Sequence, residues 1–137
     1  MICTFFGHRD APEAVEKQLN ILLVELIEKE GANLFYVGNN GRFDAMVYRQ
    51  LRLLSIDYNI KYYVVSAYIN EKNCYDNLIV ADGCETVPPK FAILHRNKWM
   101  LAQADTVITF VRYPSSGAGK FKELAIKQGK RVIDVSI

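Results

Sequence analysis

Ile2-Cys3-Thr4-Phe5-Phe6-Gly7-His8-Arg9-Asp10-Ala11-Pro12-Glu13 is the stretch whose reading decides the fold. Its first five residues are short, apolar and stopped by glycine, the mark of a strand buried on both faces. Asp10 then reads as a helix N-cap, with Pro12 in the first turn and Glu13 three residues after the cap. Val15, Leu19, Leu22, Leu23, Leu26 and Ile27 follow at helical spacing until Gly31 closes the helix. Asn33 to Val37 reads as a second strand. A strand, a helix of this length and another strand make a crossover unit, and such a unit joins parallel strands.

The same alternation continues. After the polar run Gly38-Asn39-Asn40-Gly41, a second helix begins near Arg42, with Phe43, Met46, Val47, Leu51 and Leu54 inward. Lys61 to Tyr68, rich in aromatic and β-branched residues, is a third strand. From Ile69 to Pro89 the periodicity fades, and the segment reads as a long loop holding at most one short element. A loop of that length is often functional, which makes it a candidate lid. Lys90 to Ala104 is a third helix, Thr106 to Val111 a fourth strand and Pro114 to Gly119 a turn. Lys120 to Gln128 is a fourth helix and Arg131 to Ser136 a fifth strand. The expectation is a Rossmann-like, three-layer α/β/α domain over residues 1–137, with a mostly parallel sheet of about five strands.

Bulk composition narrows the function classes. Half of the 137 residues are apolar and 23% are charged, an ordinary globular balance that excludes disorder. The net charge of +2 is too small to expect nucleic acid as a partner. The charge is uneven: +6 from Pro88 onward against −4 before it. A basic carboxyl third suits an anionic ligand, although lysines on solvated helix faces give the same count. Cys3, Cys74 and Cys84 include no closely spaced pair, so neither a disulfide framework nor a metal site is expected, and the setting reads as reducing and cytoplasmic. The opening run is no signal peptide, and no apolar stretch approaches the roughly 20 residues of a membrane span.

In an open, doubly wound sheet, ligands sit beyond the carboxyl ends of the strands. Three strand ends carry glycine with polar or basic neighbours: Gly7-His8-Arg9, then Gly38-Asn39-Asn40-Gly41-Arg42-Phe43-Asp44, then Ser115-Ser116-Gly117-Ala118-Gly119-Lys120. Glycine lets backbone approach a ligand, and unpaired N–H groups at a following helix terminus attract anions. Inert βα turns also use Gly and Asn, so it is the convergence of three that points to an anion site. Gly119-Lys120 is not the end of a P-loop, because that motif needs glycine where Pro114 stands and Ser or Thr where Phe121 stands. His8 reads equally well as a phosphate contact or as a loop histidine bonded to backbone. His95 reads as a helix-surface residue, Trp99 as packing, and Tyr62, Tyr63 and Tyr68 as core or subunit contacts.

Taken together, Phe6-Gly7-His8-Arg9, Val37-Gly38-Asn39-Asn40-Gly41-Arg42-Phe43-Asp44, Arg96-Asn97-Lys98-Trp99-Met100, Ala104-Asp105 and Gly117-Ala118-Gly119 resemble the SLOG superfamily. This is the Rossmann-like group of the LOG phosphoribohydrolases, the DNA-processing protein DprA and YpsA-like proteins. The resemblance runs over essentially the whole chain. It implies a nucleotide or nucleotide-derived ligand, no required cofactor, and a homodimer or higher homo-oligomer. In the hydrolase branch a G-x-G-T-x-x-E motif supplies a phosphate turn and a catalytic glutamate; its match is Gly117, Gly119 and Glu123, with Lys120 where Thr is usual. Arg96 and Met100 resemble that branch's helix arginine and methionine. Its preceding Pro-Gly-Gly is replaced by Tyr113-Pro114-Ser115-Ser116, a departure.

Two functions follow from the resemblance. One is a nucleotide sensor or sequestering protein, with Gly7, His8, Arg9, Gly38, Asn39, Asn40, Gly41, Arg42, Asp44, Arg96, Asn97 and Ser116 to Lys120 as ligand contacts. The other is an N-glycosidic hydrolase of a nucleoside monophosphate. There Glu123, expected in the first turn of the fourth helix, would activate water or stabilise positive charge on the sugar, and Arg96 would clamp phosphate. Glu123 is also what a helix amino end favours electrostatically with no catalysis at all. Single-stranded DNA handling, as in the DNA-processing branch, finds little support in the net charge.

Overall fold

The computed structural model describes residues 1–69, 75 and 77–135. Six strands form one sheet: β1 (Ile2–Gly7), β2 (Leu34–Val37), β3 (Lys61–Ser66), β4 (Leu78–Val80), β5 (Thr106–Phe110) and β6 (Arg131–Asp134). Their spatial order is β4-β3-β2-β1-β5-β6, and all five pairings are parallel. The helices are α1 (Ala14–Glu30), α2 (Arg42–Asp57), α3 (Ala92–Gln103) and α4 (Gly117–Lys127). This is the expected Rossmann-like α/β architecture.

The central strands explain the layering. All of β5 and the four middle residues of β1 are buried. Successive side chains leave a strand on opposite faces, and Phe5 and Phe6 divide accordingly. Phe5 packs with Val15, Leu19 and Leu23 of α1 and Phe43, Met46 and Leu51 of α2. Phe6 packs with Met100 and Leu101 of α3 and Phe121 and Ala125 of α4. Two helices therefore cover each face. Strands β2 to β4 are laid down to one side of β1 and β5 to β6 to the other, so the order reverses between β1 and β5.

Four local expectations need correction. Asp10 does not cap α1, which starts at Ala14 with no side-chain cap. Ala11 is fully buried and its N–H donates to the His8 carbonyl, so the chain spends residues 8–13 in turns first. Helix α4 starts at Gly117 rather than Lys120, because the Ser116 hydroxyl accepts from the Gly119 N–H at 3.0 Å and caps it. The third strand stops at Ser66, whose hydroxyl bonds the Tyr68 carbonyl at 2.8 Å and turns the chain. The sheet has six strands, not five, because the expected 69–89 loop holds β4, an edge strand of three residues. That segment also holds a 3₁₀ turn at Cys84–Thr86. Residues 70–74 and 76, with Cys74 and much of the expected lid, lie outside the described residues. Gly31 ends α1 as expected, in the left-handed region at φ 73°.

Candidate functional site

All three glycine-bearing corners meet at one cleft of about 300 Å³ over the switch between β1 and β5. The carboxyl end of β1 supplies Gly7, His8 and Arg9; the β2–α2 corner supplies Asn40 and Asp44. The amino end of α4 supplies Ser116, Gly117 and Ala118, and α3 closes the side with Ile93, Arg96, Asn97 and Met100. Gly38, Asn39, Gly41, Arg42, Gly119 and Lys120 do not line it.

The glycines work differently from the expectation. A methyl group at Gly7 would overlap the Phe43 ring, and one at Gly119 would overlap the Pro114 carbonyl. A methyl at Gly38 would lie 2.8 Å from Asp44 Oδ2. Gly41 has φ 95° and its absent side chain makes room for Arg9. These four glycines let protein approach protein. Gly117 alone among the cleft glycines faces open space, with nothing within 4 Å of a would-be Cβ.

Arg96 is only 2% exposed, which demands that its charge be compensated by hydrogen bonds. Its Nε donates to Asn97 Oδ1 at 2.8 Å, one terminal nitrogen to Asn39 Oδ1 at 3.1 Å and the Val65 carbonyl at 3.0 Å, and the other to Asn40 Oδ1 at 2.7 Å. The asparagines of the second corner therefore hold the arginine, and Asn39 does so from behind the cleft wall.

Asp44 sits beside that cation. Its Oδ2 accepts the Asn40 N–H at 3.0 Å. Oδ1 has no hydrogen bond, yet Asn77 Oδ1 is the sole sealed, unpartnered side-chain polar atom among the described residues, so Asp44 Oδ1 opens on the cleft. Burial pushes this carboxyl up to about 6 from an ordinary 3.8, against the pull of the Asn40 N–H and of the Arg96 and Arg9 charges.

His8 is buried, and its Nε2 accepts from the N–H groups of Arg112 at 2.7 Å and Tyr113 at 3.2 Å. An accepting Nε2 places the ring proton on Nδ1. The backbone-bonded alternative is what the structure contains, and through it β1 positions the loop that leads into α4. At α4 itself, Ser116 satisfies the Gly119 N–H. The N–H groups of Gly117 and Ala118, which line the cleft, have no carbonyl within the helix to bond.

Glu123 does not reach the cleft. It lies in the second turn of α4, exposed, with Lys127 Nζ 3.8 Å away. Arg42 is likewise exposed, 3.8 Å from Glu13 in a surface pair worth little. No group of three or more His, Cys, Asp or Glu side chains that could hold a metal occurs among the described residues. Sequence reasoning missed Phe5, Phe6 and Ile93 as lining residues; strand ends and helix phase carry that signal only once the sheet order is known.

The fold and cleft define a Rossmann-like protein with a polar pocket at the strand-order switch. No protein-family model matches the chain, and no curated protein is similar to it.

Proposed function

We propose that the cleft binds a nucleotide or nucleotide-derived anion in the manner of a SLOG-type protein, as a sensor or sequestering site. The observation that carries this reading is the meeting of three strand-end corners around one hollow, lined also by Gly117 and Ala118 of the α4 amino end, whose N–H groups have no acceptor within the helix. A helix amino end attracts phosphate through those groups and the helix dipole. Arg9 and the fixed charge of Arg96 add to the same field, and about 300 Å³ is at the lower end of small-ligand pockets. Membrane insertion is not part of the reading, since no described helix is long and apolar enough to cross a bilayer. A cytoplasmic homodimer completes it, and sedimentation equilibrium reads the stoichiometry.

The test is calorimetric titration with nucleoside monophosphates of each base, on the natural chain and on Gly117→Asp. A Cβ there has no protein atom within 4 Å and an acidic residue suits a helix amino end, so the fold is kept while an anion is repelled. A charge about 5 Å from phosphate at an effective dielectric near 20 costs roughly 3 kcal/mol, on the order of a hundredfold in affinity. Absence of binding at millimolar nucleotide, or an unchanged affinity in Gly117→Asp, overturns the proposal.

A second reading, N-glycosidic hydrolysis, is favoured by Asp44, a cleft carboxyl pushed up to about 6 and so suited to proton transfer near neutral pH. Water would attack the sugar carbon, the carbon–nitrogen bond would break, and Asp44 would hand its proton to the departing base and then take one from the attacking water, which returns the carboxyl to its starting state. Chromatography of a nucleotide incubation detects the released base. Tight binding without release sinks this reading, as does release that survives Asp44→Asn.

A further inference from the structure

A second hollow of about 480 Å³ shares the His8 wall with the cleft and is lined by His8, Asp10, Pro12, Phe110, Arg112 and Tyr113. We infer that it is an aromatic-binding subsite, so that the ligand is two-headed: a dinucleotide-type molecule straddling His8, one nucleotide in the cleft and a second planar base against Tyr113. The inference rests on the reading of the cleft as a nucleotide site.

Four observations support it. The two hollows share His8 as a lining residue at the sheet's switch point, where a crevice accommodates both halves of a dinucleotide. Tyr113 is 60% exposed, although its ring stands 4.9 Å from the His8 ring, so it offers an open aromatic face at the rim of the hollow. The Arg112 guanidinium lies 5.2 Å from the Phe110 ring centroid, placing a cation where a linking phosphate would pass. Last, His8 itself carries a donor without a protein acceptor. Its Nε2 takes two backbone N–H groups, its Nδ1 has no hydrogen bond, and Nδ1 is absent from the sealed, unpartnered polar atoms. The Nδ1–H is therefore not sealed within protein, His8 lines both hollows, and a bridging phosphate oxygen is the acceptor a straddling ligand brings. Asp10, exposed on the far wall, leaves the second half less anionic than the first.

The experiment compares AMP, ADP, NAD and diadenosine diphosphate by calorimetry on the natural chain, Tyr113→Ala and Gly117→Asp. Stacking of one base on an aromatic ring predicts a dinucleotide about tenfold or more tighter than AMP. Tyr113→Ala removes that increment and leaves AMP affinity within about twofold, since the side chain lies outside the cleft and the backbone N–H that His8 accepts survives. Gly117→Asp weakens all four. Equal affinity for AMP and both dinucleotides overturns the two-headed ligand while leaving the cleft reading intact. An equal loss of AMP and dinucleotide binding in Tyr113→Ala overturns it too. If none of the four binds, the cleft reading fails first and takes this one with it.

Discussion

Replacing Asp44 with asparagine removes a charge from beside Arg96, and counting partners alone would make that destabilising. The balance of effects on this carboxyl gives the opposite sign. Its two cationic neighbours and the Asn40 N–H all favour the ionised form, yet burial outweighs them and lifts the group from 3.8 to about 6. A raised acid contributes stability that is complete below the unfolded value and lost as pH climbs through the folded one. The loss is therefore confined to about pH 4 to 6 and is constant above it. At 1.36 kcal/mol for each decade, it amounts to at most about 3 kcal/mol, less where cleft water screens Oδ1. Asparagine keeps the shape and an oxygen for the Asn40 N–H while carrying no charge. Asp44→Asn should match the natural chain at pH 4 and exceed it by about 1–3 kcal/mol at pH 7.5 in urea unfolding. A variant less stable at pH 7.5, or one with the same dependence on pH as the natural chain, refutes the reasoning. The expected result would mark Asp44 as a residue kept for its chemistry at a cost in stability.

His8→Ala strands the N–H groups of Arg112 and Tyr113, at about 1–3 kcal/mol for each that water cannot reach. Hydrogen exchange at residues 112 and 113 should rise along with the fall in stability. Gly7→Ala forces a methyl group into the Phe43 ring and should cost about 1–3 kcal/mol by urea unfolding, whereas Gly117→Ala should be neutral or stabilising. Ser116→Ala removes the α4 cap at about 1 kcal/mol and leaves a further N–H to compete for the ligand's anion. Burial pushes the Cys3 thiol up to about 12, so thiol reagents should leave it unmodified in the native protein at pH 8 and label it on unfolding. Glu123→Ala should leave ligand binding and any base release unchanged.

The order of strands and helices was legible because apolar runs and amphipathic spacing persist over whole elements. β4 was not: Leu78, Ile79 and Val80 are too few to show a period, and they pair only at the sheet edge. The convergence of the corners was legible too, since any doubly wound sheet gathers its strand ends. What each corner residue does there was not. A sequence records that a side chain is missing at Gly7, Gly38, Gly41 and Gly119, but it cannot tell whether a ligand or Phe43, Asp44, Arg9 and Pro114 fill the space. Glu123 illustrates how a small boundary error propagates. With the cap at Ser116, α4 begins three residues earlier than expected, and the glutamate moves from the first turn to the second, away from the mouth. Asp44 stood in plain view, but its raised pKa comes from burial that outweighs the opposing Arg96 charge, and both depend on parts of the chain distant in sequence.

The cross-bracing of the corners has a consequence for how such a pocket diversifies. Phe43 seats on Gly7 and Arg9 on Gly41, each contact joining the first corner to the second, while Pro114 seats on Gly119 within the third, so each corner's backbone is held by close packing. Any heavier residue at those keys disturbs the frame before it touches a ligand. Ile93, Gly117 and Ala118 bear no such keys and line the hollow directly, whereas Met100 also lines it but is fully buried in the core with Phe6. Ligand preference can drift through these three positions while the frame stays fixed, and a library confined to them would explore new specificities on an unchanged scaffold.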